Sequence, residues 1–258
     1  MTASNAPKRG QSVQELLYTA FAVFRATLLK CLPFAMIAVL CEYAPYFYWV
    51  ASGHKFEHVL AAEPAELTPA YWWLTLAGAV VALYIFSAMM LRQVYFSGGF
   101  AVNARQELTL AARRLPSLLV SWVLMQLTLT VGFVFNVPLG LVLLVFPGIF
   151  LFICYLVMLP VVLLEGQLNP LLALRRCVLL VLPNWWRVFA AFVIALLAIG
   201  VCAIAFGAIL GILAQLLTGS AASFQAVVAA GVVAIGASIF VFFSALALAI
   251  HSSANSSA

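Results

Sequence analysis

Arginine is the residue type in this chain whose placement most invites chemistry. Arg113 and Arg114 form one adjacent pair, Arg175 and Arg176 a second, and Arg25 and Arg187 stand singly beside apolar or aromatic runs. A guanidinium is planar, permanently charged and shaped to grip phosphate oxygens with two parallel N–H bonds. A basic residue close to an anionic leaflet adds about 1 kcal/mol of attraction. These six arginines are therefore candidate ligands for a phospholipid headgroup; their plainer role is to anchor and orient the chain. Glu42 is a second kind of candidate, because it follows Lys30 by twelve residues inside an apolar stretch. A charge at that depth costs roughly 2.5–3.5 kcal/mol on insertion scales, so it needs shielding, a function or reach to the outer headgroups. Gln126 and Asn136 are weaker polar candidates of the same type. His54 and His58 lie four apart around Glu57, and on a helix both imidazoles would share a face, as metal ligation needs. In a polar loop such a trio is ordinarily just solvated, and no metal is expected.

Other chemistry is excluded by what the chain lacks. All seven acidic residues are Glu, too few and too scattered for a carboxylate pair or a hard-cation cage. Neither a nucleophile elbow, a phosphate-binding loop nor a dinucleotide fingerprint is present. The five cysteines, Cys31, Cys41, Cys154, Cys177 and Cys202, form no CxxC spacing and read as small hydrophobes. The net charge of +5 is spread along the chain and lacks the dense basic face that nucleic acid requires. The expectation is a non-enzymatic protein with no cofactor and no nucleic-acid partner; a protein partner is neither indicated nor excluded.

The elements that must position these residues follow from solvation. The chain is 67% hydrophobic and 7% charged, whereas a soluble domain carries about 25% charged residues. So few charges cannot cover a water-facing surface, and hydrocarbon must surround most of the chain. In hydrocarbon every backbone polar group has to be satisfied internally, which leaves helices. The fold class expected is all-α: a polytopic membrane protein of about six transmembrane helices with amphipathic interfacial helices. Residues 1–11 read as disordered, 12–250 as one helical membrane domain and 251–258 as a disordered tail.

Ser12 to Lys30 has helical spacing of Leu17, Phe21, Phe24 and Leu28, with Arg25 and Lys30 unsuited to the hydrocarbon centre, so it reads as an interfacial helix, the alternative being a cytosolic extension of the first span. Pro33 then opens a first span ending in the aromatic run Tyr43 to Trp49. The loop to Ala70 carries a net charge of −2. Tyr71, Trp72 and Trp73 re-enter the bilayer and Arg92 leaves it. The next segment, to Pro116, is net +3 and contains a short basic helix from Val102 to Leu115. About 48 apolar residues follow, enough for two spans, with the turn placed near Asn136–Pro138 and Pro147–Gly148 as the alternative; with the turn at Asn136, Pro147–Gly148 kinks the fourth span. Asn169–Pro170 starts a helix as N-cap and first helical residue, and Pro183 stops it. A fifth span runs to about Leu213 and a sixth from about Gln225 to Ile250. Gly207 and Gly211 form a GxxxG step expected to pack within the bundle.

The loops predict orientation. Basic segments alternate with an acidic or neutral side, which by the positive-inside rule puts both termini in the cytosol. No small-residue cleavage signal follows the polar start, so no cleaved leader is expected. A threefold pattern of interfacial helix plus hairpin runs over about 12–92, 102–164 and 169–250. Its first and third copies align without gaps: Glu15, Arg25, Leu29, Leu32 and Pro33 fall opposite Glu165, Arg175, Leu179, Leu182 and Pro183.

Between Pro147 and Arg187 the sequence is more specific than its hydropathy. Pro147–Gly148–Ile149, Pro160, Glu165–Gly166, Pro170, Ala173–Leu174–Arg175–Arg176 and Trp185–Trp186–Arg187 together resemble the signature of YciC-like bacterial inner-membrane proteins. The stretch is also similar to the membrane domain attached to some glycerophosphoryl diester phosphodiesterases. Cys177 departs from the resemblance, which often has a small hydroxyl residue there. The resemblance implies a six-span fold in the cell inner membrane and imports no hydrolase, which in those fusions is a separate soluble barrel. The function expected is engagement or organisation of anionic phospholipid at the cytoplasmic leaflet; the alternative is a transporter or channel for a small solute or lipid, with Glu42, Gln126 or Asn136 at a polar midplane.

Overall fold

The structure, a computed structural model, describes residues 12–53, 68–100, 103–135, 140–217 and 221–256. These form seven α-helices and no strand: α1 Val13–Ala51, α2 Pro69–Ser97, α3 Ala104–Phe135, α4 Gly140–Pro160, α5 Pro170–Val181, α6 Trp185–Leu217 and α7 Ala221–Ser256. Among the described residues, six stretches of helix are long and apolar enough to cross a membrane. The protein is an all-α, multi-pass membrane protein. The expected disordered start lies outside the described residues.

Among the described residues, four helix beginnings that precede apolar spans carry a polar cap; at α2, Thr68 Oγ1 accepts from Tyr71 N at 3.3 Å. Ser12 and Glu15 form a reciprocal capping box, with Ser12 N donating to Glu15 Oε2 at 2.7 Å and Glu15 N to Ser12 Oγ at 3.2 Å. Asn103 Oδ1 accepts from Arg105 N at 3.1 Å. Asn169 Oδ1 accepts from Leu171 N at 3.0 Å and Leu172 N at 3.4 Å, with Pro170 at the first helical position as the sequence leads one to expect. Asn169→Ala removes that acceptor at a cost of about 1 kcal/mol. Hydrogen–deuterium exchange in the first turn of α5 should then rise about fivefold.

Two prolines behave differently from their sequence reading. Pro33 does not open a new helix; α1 runs through it, and likewise α3 runs through Pro116. Each ring removes one intrahelical bond, yet the turns on either side remain paired, so interfacial segment and span share one helix. At the third position the expected stop occurs. Val181 ends α5, and a single 3-10 turn, Leu182–Asn184, precedes α6. The aligned positions around Pro33 and Pro183 have similar environments. Thr27 and Cys177 are buried, as are Cys31 and Val181, whereas Leu29 and Leu179 are 82% and 57% exposed. The tail read as disordered is also different: α7 is helical to Ser256, and His251 within it is buried. Helical pairing of the Ser-rich backbone outweighs the weak propensity of its side chains.

The chain divides into two compact units: Met1–Ala26, Pro116–Val201 and Phe242–Ala258 form one, and Thr27–Leu115 with Cys202–Val241 the other. The first unit is held by aromatic edges. Phe24 meets Phe242 at 5.6 Å, Phe152 meets Phe192 at 5.7 Å, and Phe150 meets Trp185 at 5.1 Å between ring centres. Ala173 and Cys177 of α5 are buried in it. The second unit packs α1 on α2 closely: a side chain at Gly78 would collide with the Cys41 carbonyl oxygen. Trp49 packs edge-on to Tyr71 at 6.2 Å, and Phe86 to Phe240 at 5.5 Å. The GxxxG step has no such role. Gly207 and Gly211 have open space where a Cβ would stand, and Gly207 is exposed. Close approach depends on a facing backbone, and in this unit it is Gly78 that has one.

Candidate functional site

In the first unit the charges gather around Glu165. Pro160 lacks the N–H that the Leu156 carbonyl would accept, and the helix widens into one π-helical turn, Val161–Glu165. Gly166 ends it with φ 74° and ψ 20°, a left-handed conformation that glycine adopts without a Cβ penalty. The carboxylate so placed meets two partners from other elements. Arg176 Nε of α5 lies 3.3 Å from Oε2, and His251 Nε2 of α7 lies 2.9 Å from Oε1. An ionised carboxylate only accepts, so the imidazole Nε2 carries the proton in this contact. Glu165 therefore pins α5 and the end of α7 to the end of α4.

The second unit has its own ionic centre. Arg92 Nε donates to Glu107 Oε1 and Oε2 at 3.2 and 2.9 Å, and Arg92 Nη1 donates to the Lys30 carbonyl at 3.3 Å. The Glu107 side chain is 0% exposed and that of Arg92 16%. The guanidinium lies over the Phe34 ring at 4.3 Å, and Lys30 Nζ over Phe96 at 4.0 Å. One residue on, the buried Gln93 donates from Nε2 to the Val241 carbonyl at 2.9 Å and to Thr27 Oγ1 at 3.3 Å. This centre is a fastening rather than a binding surface, since its groups already satisfy one another.

Against that background the arginines sort by environment. Arg176 is committed to Glu165, and Arg187 Nη1 donates to Asn184 Oδ1 at 3.3 Å. Arg25, Arg113 and Arg175 are exposed and Arg114 is half-buried. Among the described residues these four make no ion pair. Glu42 and Gln126 occupy exposed positions on α1 and α3, and Asn136 lies outside the described residues. Pro147 and Gly148 fall inside α4. His54, Glu57 and His58 also lie outside the described residues; among those described, no three His, Cys, Asp or Glu groups converge.

Arg92, Glu107, Gln93 and His251 had not been singled out as interacting residues in the sequence. In the sequence Arg92 marks the exit of the second span, and Glu107 stands fifteen residues on, within the basic segment that follows. The available signal was that Glu107 is the sole acid in a basic segment. Comparison with protein-family models, curated proteins and solved structures finds no match to this chain.

Proposed function

We propose that this chain is a non-enzymatic, YciC-like protein of the bacterial inner membrane, with both termini cytosolic, that engages anionic phospholipid of the cytoplasmic leaflet. The observation that carries the reading is the set of exposed arginines, Arg25, Arg113 and Arg175, which have no ion-pair partner among the described residues. Each lies in a helical segment that leads into an apolar span. Exposed leucines sit one turn beyond two of them, Leu29 after Arg25 and Leu179 after Arg175. An unpaired guanidinium beside an exposed apolar side chain suits the boundary between headgroups and acyl chains, where the charge meets phosphate and the leucine meets hydrocarbon. The lack of a converging catalytic set in the sequence and the resemblance of the 147–187 stretch support the same reading.

Native mass spectrometry of the purified protein with phosphatidylglycerol tests it. Each of Arg25→Gln and Arg175→Gln should weaken retention roughly fivefold, the equivalent of about 1 kcal/mol per basic residue. Unchanged retention in the double variant overturns the proposal.

A further inference from the structure

The amphipathic segments that lead into apolar spans differ in what they expose. On α1, Tyr18, Phe21 and Arg25 are exposed while Leu16 and Ala20 are buried. At about 100° per residue the three exposed side chains fall within about 60° of arc, a single stripe. On α5, Leu171, Arg175 and Leu179 are exposed within about 80° of arc. Leu182 continues that stripe, and Ala173 and Cys177 are buried behind it. In the ungapped alignment of the two segments, Phe21 stands opposite Leu171 and Arg25 opposite Arg175. Tyr18 is 75% exposed and Leu171 66%, so the arginine in each stripe has large apolar side chains outside it as well as the span beyond. Water is a poor solvent for such a face. The start of α3 is built otherwise. Arg105, Gln106, Thr109 and Arg113 are exposed there, and from Ala104 up to Val120 no large apolar side chain is.

We infer that the stripes of α1 and α5 are membrane-docking faces, each with its apolar side chains in the acyl region and its single arginine on a phospholipid phosphate, while the exposed face from Arg105 to Arg113 lies in water. This rests on the lipid-engaging reading above and divides its arginines by role. Charge complementarity selects the occupant. Each stripe holds one guanidinium, and no acid occurs from Leu16 to Ala26 or from Pro170 to Leu182. Glu15, at the edge of the first stripe, is engaged by Ser12 in the capping box. Free phosphate would satisfy the arginine and leave the leucines and aromatics in water, whereas a phospholipid meets both at once. Arg113 follows a face with no large apolar group to immerse it. It adds a diffuse attraction that salt screens, because the Debye length falls from about 10 Å at 0.1 M to about 3 Å at 1 M.

Arginine-specific labelling by phenylglyoxal tests the division. The full-length protein is labelled in nanodiscs of phosphatidylglycerol with phosphatidylethanolamine, and again in phosphate-free maltoside micelles. Peptide mass spectrometry reads the rate at each arginine, divided by its rate in the denatured chain. In the bilayer Arg25 and Arg175 should react about fivefold more slowly than Arg105 and Arg113, the factor carried by one basic residue at an anionic leaflet. Salt at about 1 M should leave that protection in place, since contact pairs in apolar surroundings are screened least. In the micelle, which offers no phosphate, the protection should disappear. Arg25 and Arg175 reacting as fast as Arg105 in the bilayer, or as slowly in the micelle as in the bilayer, overturns the assignment of the stripes. Phosphatidylglycerol retention that still depends on Arg25 and Arg175 then keeps the wider reading intact. Retention unchanged in the Arg25→Gln, Arg175→Gln double variant overturns both.

Discussion

Arg92→Ala lowers the stability of the protein by about 3–5 kcal/mol, the usual cost of leaving one half of a buried ion pair without its partner. The reason lies in Glu107, whose side chain is fully enclosed and whose two oxygens are both bonded to the Arg92 Nε. Without the guanidinium the carboxylate must remain charged in a poorly hydrated place or take up a proton there. The same substitution frees the Lys30 carbonyl and removes the cation over Phe34. Pairing the change with Glu107→Leu tests the cause. An apolar pair of similar volume is often as stable as the ions it replaces, so Arg92→Met with Glu107→Leu should recover most of the loss. Chemical unfolding in detergent micelles, followed by tryptophan fluorescence, gives both values. A double variant as unstable as Arg92→Ala would mean that the lost contacts to Lys30 and Phe34, and not the orphaned carboxylate, carry the cost.

Gly78→Leu should be nearly as damaging, at about 3 kcal/mol, whereas Gly207→Leu should be neutral or stabilising by up to about 1 kcal/mol. The two substitutions are chemically identical, and in an isolated helix both would help, because leucine is the better helix former. At Gly78 the new side chain runs into the backbone oxygen of Cys41, which cannot rotate away as a side chain could. α1 and α2 must then separate along their contact, and overpacking of this kind costs about 1–3 kcal/mol, occasionally more. At Gly207 nothing lies within 4 Å of the added carbon. The same unfolding assay reads the pair, and equal effects at the two positions would refute the packing account.

Hydropathy made the spans legible because hydrocarbon imposes one condition on every residue of a helix. The starts of helices were legible where a single side chain does the work, as at Asn169 with Pro170. Continuity through Pro33 and Pro116 was not, since whether a helix survives a proline depends on what packs around the gap. The fastening of Arg92 to Glu107 was equally hidden: it joins two helices, and a sequence presents such residues as separate charges. The glycines misled for a related reason. Gly207 and Gly211 carry a recognisable spacing, whereas Gly78 carries none, and only the facing backbone decides which of them matters. Of the arginines, sequence supplied the list; the neighbourhoods of Arg175 and Arg176, adjacent yet one open and one bound to Glu165, came from the fold.

The widened turn Val161–Glu165 has a further consequence. A π-helical turn is an ordinary helix holding one additional residue, and one residue of α-helix corresponds to about 100° of rotation. The azimuth of Glu165 is thus encoded in a residue count as well as in residue identities. A relative one residue shorter in this stretch would keep every apolar side chain suited to lipid and still aim its carboxylate a quarter-turn or more away from the partners held by α5 and α7. Length variation here is therefore not equivalent to length variation in a loop, because it rotates chemistry instead of adding slack.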